Sequence, residues 1–169
     1  MIDYRILGPL EVSADGCRCA SACAGASHRR RMTIVDMKIE AVQVPVSDVD
    51  RAKDFYSKQV GFTVDVDTVV PGGERVVQLT PPGSGCSIHL AGGGSGQLPG
   101  LTLVVADVVA THAELTRLGA PLGEVVHYDN GVQVPGRSDE PWSTMAFFSD
   151  PDGNSWIIQE RPAAGHPHS

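Results

Sequence analysis

The sequence predicts an α+β fold of two tandem βαβββ modules whose sheets enclose a cavity. The first observation is a repeat. A β-prone run followed by a small residue, an Asp and a Val occurs at 44–49 and again at 103–108. The second is that an amphipathic helical pattern and three β-prone runs follow each copy. The third is the segment 147–160, where two apolar runs flank the turn formers of 150–154, as in a hairpin.

The predicted elements follow the same order twice. Helices are expected over 47–60, with Ser47 as N-cap, and over 107–118, each ended by a glycine. Strands are expected at 63–67, 75–80 and 86–90 after the first helix, and at 122–127, 144–148 and 155–160 after the second. The polar stretch 128–142 is longer than an ordinary hairpin turn, which predicts a lid or binding loop.

Composition and charge exclude several classes of function. A chain of 169 residues with 41% hydrophobic residues is long enough for one well-packed domain. Its formal charge of -7 disfavours nucleic acid and anionic lipid as partners. We found no apolar run of about 20 residues and no signal-peptide pattern, so no membrane association and a cytoplasmic location are expected.

The ordered domain is predicted over residues 37–162, with modules at about 37–95 and 98–162. Residues 1–36 are predicted to be a disordered extension and 163–169 a disordered tail, because neither has an apolar period. Three cysteines within 17–23 have the wrong spacing for a zinc knuckle and are expected to be free thiols. Residues 4–12 resemble the first strands of a winged-helix regulatory domain, but no DNA-reading helices follow.

A family resemblance rests on the segments 44–52, 55–56 and 60–62 together with the turn at 150–154. These segments resemble the vicinal oxygen chelate superfamily, which includes glyoxalase I, bleomycin resistance proteins and extradiol dioxygenases. The resemblance covers 37–160 and implies paired βαβββ modules. It also implies a divalent metal held by inward His, Glu or Gln side chains on the first and last strands of each module.

The four metal-ligand positions implied by this resemblance fall on Ala41, His89, Gly100 and Ile157. Only His89 among them can bind a metal, and one imidazole is too few for a catalytic zinc or iron site. No metal cofactor is therefore expected, with a divalent metal held in another strand register as the alternative.

Alternation along the strands places polar side chains on the faces that would line the cavity. The expected ligand-binding residues are Gln43, His89, Thr102, His127, Arg137, Trp142, Ser155 and Gln159. Buried polar side chains need partners, so this set indicates either a mutual hydrogen-bond network or a polar ligand. His89 is also the candidate catalytic base, with a cavity-wall histidine as the alternative.

Two functional hypotheses follow. The first is a metal-independent protein that binds a small organic molecule between its sheets. The second is an enzyme of the same fold, either a metal-dependent lyase or isomerase of the glyoxalase I type or a dioxygenase-type enzyme. The resemblance also implies a homodimer.

Overall fold

The computed structural model describes residues 37–94 and 96–162, and the predictions for 1–36 and 163–169 lie outside them. The strands of this part of the chain are β1 (Ala41–Val46), β2 (Thr63–Val69), β3 (Arg75–Thr80), β4 (Ser87–Gly92), β5 (Leu101–Val105), β6 (Val126–Asp129), β7 (Val132–Pro135), β8 (Met145–Ser149) and β9 (Ser155–Glu160). The helices are α1 (Val49–Asp54), which continues as a π-helical turn (Phe55–Gln59), and α2 (Val108–Leu118). None of the helices in these residues is long and apolar enough to cross a membrane.

The strands form two sheets that repeat one topology. Sheet 1 has the order β1-β4-β3-β2, and sheet 2 has the order β5-β9-β8-β6-β7. In each sheet the first strand of the module pairs in parallel with the last, and the other pairings are antiparallel. The predicted α+β class with two related modules is confirmed.

The second module contains one more strand than the sequence predicted. Part of the expected loop 128–142 is strand β7, which pairs with β6, and the expected strand 122–127 starts only at Val126. Asn130 and Gly131, with φ of 48° and 80°, form the two-residue turn between them. Asn-Gly is the preferred sequence of such a turn because both positions need positive φ. Residues 136–142 remain a loop.

The N-cap of helix α1 lies one residue later than expected. Asp48 is the N-cap instead of Ser47, and its carboxylate accepts hydrogen bonds from the backbone N–H groups of Asp50 and Arg51. In α2, Asp107 caps the start and Gly119 ends the helix at φ 93°. The helix boundaries are thus set by local capping chemistry.

One hydrophobic core joins the two modules. The π-helical turn is wider than an α-helical turn, and the neighbouring residues Phe55 and Tyr56 are both buried, at 4% and 0% exposed. The Tyr56 ring lies 5.6 Å from that of Trp156 on β9, and Trp156 stacks on Phe148 of β8 at 5.9 Å. The faces of both sheets that pack on helices therefore share one core.

The other face of each sheet, here called its open face, reaches solvent. On sheet 1 Gln43 is exposed, and on sheet 2 Thr102 and Val104 are exposed. Within the described residues, each open face is therefore accessible from outside. The sequence predicted that the two sheets enclose a cavity. A further surface must cover these open faces to form an enclosed cavity.

Candidate functional site

The open face of sheet 1 carries a row of three polar side chains. Strand register places Gln43 of β1 beside His89 of β4, and His89 beside Gln78 of β3. The neighbouring residues Val77, Leu79, Ile88 and Leu90 point into the core and are buried. The period of two along each strand therefore directs the polar row away from the core.

His89 is held by Gln78. Its Nε2 atom lies 2.8 Å from Gln78 Oε1, and Gln78 Nε2 donates a 3.0 Å hydrogen bond to the Ser87 hydroxyl. Ser87 is itself 2.7 Å from the Thr80 hydroxyl, which donates to the carboxylate of Asp65. The imidazole is therefore one end of a chain of hydrogen bonds that crosses the sheet.

Gln43 makes no side-chain hydrogen bond with the described residues, although it neighbours His89. An exposed amide is satisfied by water, so this costs the fold little. It leaves an amide donor and an amide acceptor beside the imidazole. Gln43 and His89 can therefore both reach a molecule that lies on this face.

The open face of sheet 2 is mostly apolar. Register aligns Thr102, Ile157 and Phe147 in one row, and Val104, Gln159 and Met145 in the next. A cavity of about 560 Å³ borders this face and is lined by Pro99, Pro121, Phe147, Ser155 and Ile157 among others. A second cavity of about 370 Å³ lies on the other side of Phe147, beside Val126, Gln133 and Pro135. Phe147 thus separates two concave regions.

Three of the expected ligand-binding residues share this face. Ser155 and Gln159 lie on the same side of β9 as Ile157, with Thr102 beside them on β5. The Gln159 amide donates a 2.7 Å hydrogen bond to the Trp142 carbonyl, which ties β9 to the 136–142 loop. Their role in binding stays a prediction.

His127 lies on the opposite side of sheet 2. Register aligns its neighbour Val126 with Met145 on the open face, so the His127 side chain leaves from the other face. Its Nδ1 atom is 2.9 Å from the Gly136 carbonyl, to which it must donate. This contact closes the end of the β6–β7 hairpin, and it is the role that the geometry gives His127.

Arg137 and Trp142 lie beside a small cavity of about 200 Å³ that also borders Glu160. Arg137 donates a 2.6 Å hydrogen bond to Glu160, whose other carboxylate oxygen accepts from the Val108 backbone N–H at 3.0 Å. Arg137, one of the expected ligand-binding residues, thus already has a carboxylate partner. Trp142 adopts a φ of 63°, and its backbone carbonyl holds Gln159.

The four implied metal positions do not fit a metal. Ala41, Gly100 and Ile157 have no donor side chain, and His89 is engaged with Gln78. Throughout residues 37–94 and 96–162, no three His, Cys, Asp or Glu side chains cluster closely enough to hold an ion. We therefore derive no chemistry through a metal.

Gln78 on the inner strand β3 and Phe147 and Met145 on the inner strand β8 were not among the predicted site residues. The signal for Gln78 was present, because it interrupts the apolar neighbours Val77 and Leu79 at a period of two. The signal for Phe147 was weaker, because Phe147 and Phe148 are chemically equal. Only the strand register shows which of the two faces the core.

A cavity of about 670 Å³ lies away from the open face of sheet 1, along the free edge of β5. It is lined by Phe62 and the segment 81–84 on one side and by α2 residues such as Leu115 and Leu118 on the other. Most of its lining is apolar, with Ser84, Thr102, Thr111 and Glu114 as polar exceptions. It offers no pair of side chains suited to acid–base chemistry.

Two modules that repeat one sheet topology, each with its helix on one face of its sheet, define the paired βαβββ fold class. The model of the Glyoxalase/Bleomycin resistance protein/Dioxygenase superfamily matches residues 38–158. The chain belongs to this superfamily, as the resemblance implied.

Solved structures of similar proteins support the fold. The chain is 31% identical to TnmS3, an antibiotic binding protein from Streptomyces sp. CB03234, with a TM-score of 0.59 over 76% of this chain and 98% of that one. It is 34% identical to a glyoxalase/bleomycin resistance protein from the same organism, with a TM-score of 0.56 over 72% of this chain and 99% of that one. The uncharacterized protein YetH of Bacillus subtilis is 22% identical over 73% of this chain and 98% of its own length.

Proposed function

We propose that this protein binds a small, flat organic molecule of antibiotic type on its open sheet faces, without the metal usual in the superfamily. The observation that carries the proposal is the contrast between the two faces. Sheet 1 offers Gln43 and His89 as polar contacts, whereas sheet 2 offers Phe147, Ile157 and Met145 as an apolar surface. A molecule with a flat apolar body and a polar edge matches both.

The similarity to an antibiotic binding protein at 31% identity supports the same class of ligand. Aromatic and aliphatic side chains provide most of the contact energy in such sites, and a few polar groups set orientation. Of the expected ligand-binding residues, we retain Gln43, His89, Thr102, Ser155 and Gln159 as contacts on the open faces, and add Phe147.

We also propose that a second copy of the chain covers the open faces, giving a cytoplasmic homodimer. Val104, on the open face of edge strand β5, is 53% exposed, and an apolar sheet face next to a free edge favours pairing. Sedimentation equilibrium tests the dimer, with Val104→Asp expected to shift it to monomer. Val109→Asp is the control, because Val109 is 48% exposed in the first turn of α2, where an aspartate is tolerated.

Isothermal titration calorimetry with doxorubicin, bleomycin and 1,8-dihydroxyanthraquinone tests ligand binding. We expect saturable binding of at least one of these, weakened about tenfold or more by Phe147→Ala. The control is Val132→Ala, because Val132 lies at the exposed tip of the β6–β7 hairpin. If none of the three compounds binds, the proposal of a flat antibiotic-type ligand is contradicted.

The second candidate is an enzyme of the glyoxalase I type in which His89 acts as a base. The observation that favours it is the position of His89 on an open face with one ring nitrogen bound to Gln78. Isomerisation of the hemithioacetal of methylglyoxal and glutathione tests it. Turnover that is lost in His89→Gln would favour the enzyme, and binding without turnover the first proposal.

A further inference from the structure

We propose that the hydrogen-bond chain from Asp65 to His89 fixes His89 as a hydrogen-bond acceptor, so that the open face of sheet 1 selects ligands with a hydroxyl or N–H group. The inference deepens the proposed function by naming the ligand group read at this site. It rests on five side chains whose donors and acceptors can be assigned one after another.

The direction of the chain is set at Asp65. An ionised carboxylate only accepts, so the hydrogen bond between Asp65 and Thr80 uses the Thr80 hydroxyl proton. The contact of 2.7 Å between the Thr80 and Ser87 hydroxyls must then use the proton of Ser87. The Ser87 oxygen is left as an acceptor, and Gln78 Nε2 donates to it at 3.0 Å.

This assignment fixes the Gln78 amide and, through it, the histidine. With its nitrogen on Ser87, Gln78 presents Oε1 to His89 at 2.8 Å. An amide oxygen accepts only, so His89 Nε2 carries a proton. In the neutral imidazole, Nδ1 is then the unprotonated nitrogen, and it makes no hydrogen bond with the described residues.

The position of His89 on the open face makes its Nδ1 atom accessible to a ligand. His89 is partly buried on the open face, beside the unpaired amide of Gln43. A half-buried acceptor binds a ligand that donates a hydrogen bond to it more tightly than a ligand that cannot. A ligand without a donor removes water from the acceptor and offers no hydrogen bond in return. A phenol, an alcohol or an N–H group satisfies it, whereas an ether or a carbonyl does not.

The first test is the tautomer of His89, measured by long-range ¹H–¹⁵N correlation in histidine-labelled full-length protein at a pH where the ring is neutral. Spectra of His89→Ala assign the signals. We expect a protonated Nε2 and a bare Nδ1 in the native protein. His127, whose Nδ1 donates to Gly136, and His112, whose Nε2 donates to Gly123, provide internal references for the two tautomers.

Variants along the hydrogen-bond chain test whether Asp65 and Thr80 set the direction in which its protons are donated. Asp65→Asn can donate to Thr80 and so permits the reverse order, which should give a mixture of His89 tautomers. Thr80→Val should have the same effect, because it removes the hydroxyl between Asp65 and Ser87. Thr63→Val is the matched control, since Thr63 pairs with Thr80 across β2 and β3 but makes no side-chain hydrogen bond with the described residues.

The ligand test uses 2-naphthol, which has one hydroxyl donor, and 2-methoxynaphthalene, which has none. We expect 2-naphthol to bind about three- to tenfold more tightly and to shift the His89 Nδ1 signal, and this preference to disappear in His89→Phe. A protonated Nδ1 in the native protein, or equal binding of both compounds, would overturn the inference. If neither compound binds, the ligand selection proposed here fails, whereas calorimetry with doxorubicin, bleomycin and 1,8-dihydroxyanthraquinone decides the proposed function separately, and the tautomer measurement decides the assignment of the hydrogen-bond chain.

Discussion

The Tyr56 hydroxyl donates a 2.7 Å hydrogen bond to Asp150, which lies 94 positions further along the chain in the turn between β8 and β9. The same oxygen accepts from the indole N–H of Trp156 at 3.0 Å. Burial, and then the hydrogen bond to Asp150, raise the pKa of Tyr56 far above its usual range, so the hydroxyl stays a donor. One buried side chain of module 1 thus anchors the turn of module 2.

Replacing Tyr56 with Phe should lower the free energy of unfolding by about 2–3 kcal/mol. The ring still fills its place in the core, but the Asp150 carboxylate loses a donor and the Trp156 N–H loses its acceptor in a buried site. Urea titration followed by circular dichroism measures the loss.

The control for this change is Tyr128→Phe, because Tyr128 is 46% exposed on β6 and its hydroxyl makes no hydrogen bond with the described residues. We expect that variant to stay within about 0.5 kcal/mol of the native protein. Equal effects of the two substitutions would show that the Tyr56–Asp150 contact contributes no specific stability.

The turn at 150–154 illustrates how far the sequence could predict the structure. Its residue types predicted a hairpin, and β8 and β9 do pair around it. Its tertiary contacts were not predictable, because Asn154 donates to the Pro45 carbonyl and Asp152 accepts from Ser47, both more than a hundred positions away. Residue type defines a turn locally, but what the turn contacts depends on how the modules pack.

The same limit applies to the candidate site. Alternation placed Gln43 and His89 each on the predicted cavity face of its own strand, because the side-chain period of a strand is a local property. It could not show that Gln78 lies beside His89, since that contact depends on the order of strands within the sheet. Nor could it show that Arg137 pairs with Glu160, since that contact depends on where the 136–142 loop packs against β9. The β6–β7 hairpin, in contrast, was predictable from local sequence, because Asn130-Gly131 is a typical two-residue hairpin turn. It was not predicted because the whole polar stretch 128–142 was interpreted as one loop.

A group of four charges between α1 and the β2–β3 hairpin predicts sensitivity to acid. Asp67 accepts from Arg75 Nε and from Lys53 Nζ, both at 2.8 Å, and Arg75 also reaches Asp50 at 3.0 Å. The hydrogen bonds from Arg75 and then from Lys53 hold the pKa of Asp67 far below its usual value. Because the folded pKa is the lower one, the stabilisation is present above the unfolded pKa of about 4 and is lost as the pH falls below it.

We therefore expect the free energy of unfolding to decrease below about pH 4, and to decrease less steeply in Asp67→Asn. Chemical denaturation at a series of pH values in low salt measures both slopes. Asp54→Asn is the control, because Asp54 lies outside this group and pairs with Lys58 on the helix surface. A slope for Asp67→Asn equal to that of the native protein would contradict this assignment.

Arg137→Ala should reduce stability and leave ligand affinity unchanged. Its guanidinium group pairs with Glu160, whose side chain is 11% exposed and also caps the start of α2 through the Val108 N–H. Leaving a mostly buried carboxylate without its cation costs about 1–3 kcal/mol. Thermal and urea denaturation, together with calorimetry using the ligand found for the native protein, separate the two effects.

Arg117→Ala provides the comparison for that change, because Arg117 and Glu114 form a pair on the surface of α2 with side chains 66% and 56% exposed. Such pairs contribute about 0.5 kcal/mol or less. A tenfold loss of affinity in Arg137→Ala with unchanged stability would instead give Arg137 the ligand contact that its residue type suggested.

Removal of metal ions should change neither the stability of the protein nor its ligand binding. Three of the four positions at which the superfamily holds a metal are Ala41, Gly100 and Ile157, and a catalytic zinc or iron site needs at least three protein ligands. Plasma mass spectrometry after incubation with Zn²⁺, Ni²⁺, Mn²⁺ or Fe²⁺ and desalting should find no metal that depends on His89. Denaturation curves with and without EDTA should coincide.

His89→Ala and His112→Ala distinguish a specific site from adventitious binding, since the His112 side chain donates to the Gly123 carbonyl and lies on α2, outside both open faces. Metal that remains in His89→Ala comes from elsewhere in the chain and leaves the prediction intact. One ion per chain in the native protein and in His112→Ala, but none in His89→Ala, would contradict it. In that case the second module must supply ligands in a different register, and the lyase or isomerase hypothesis would replace metal-free binding.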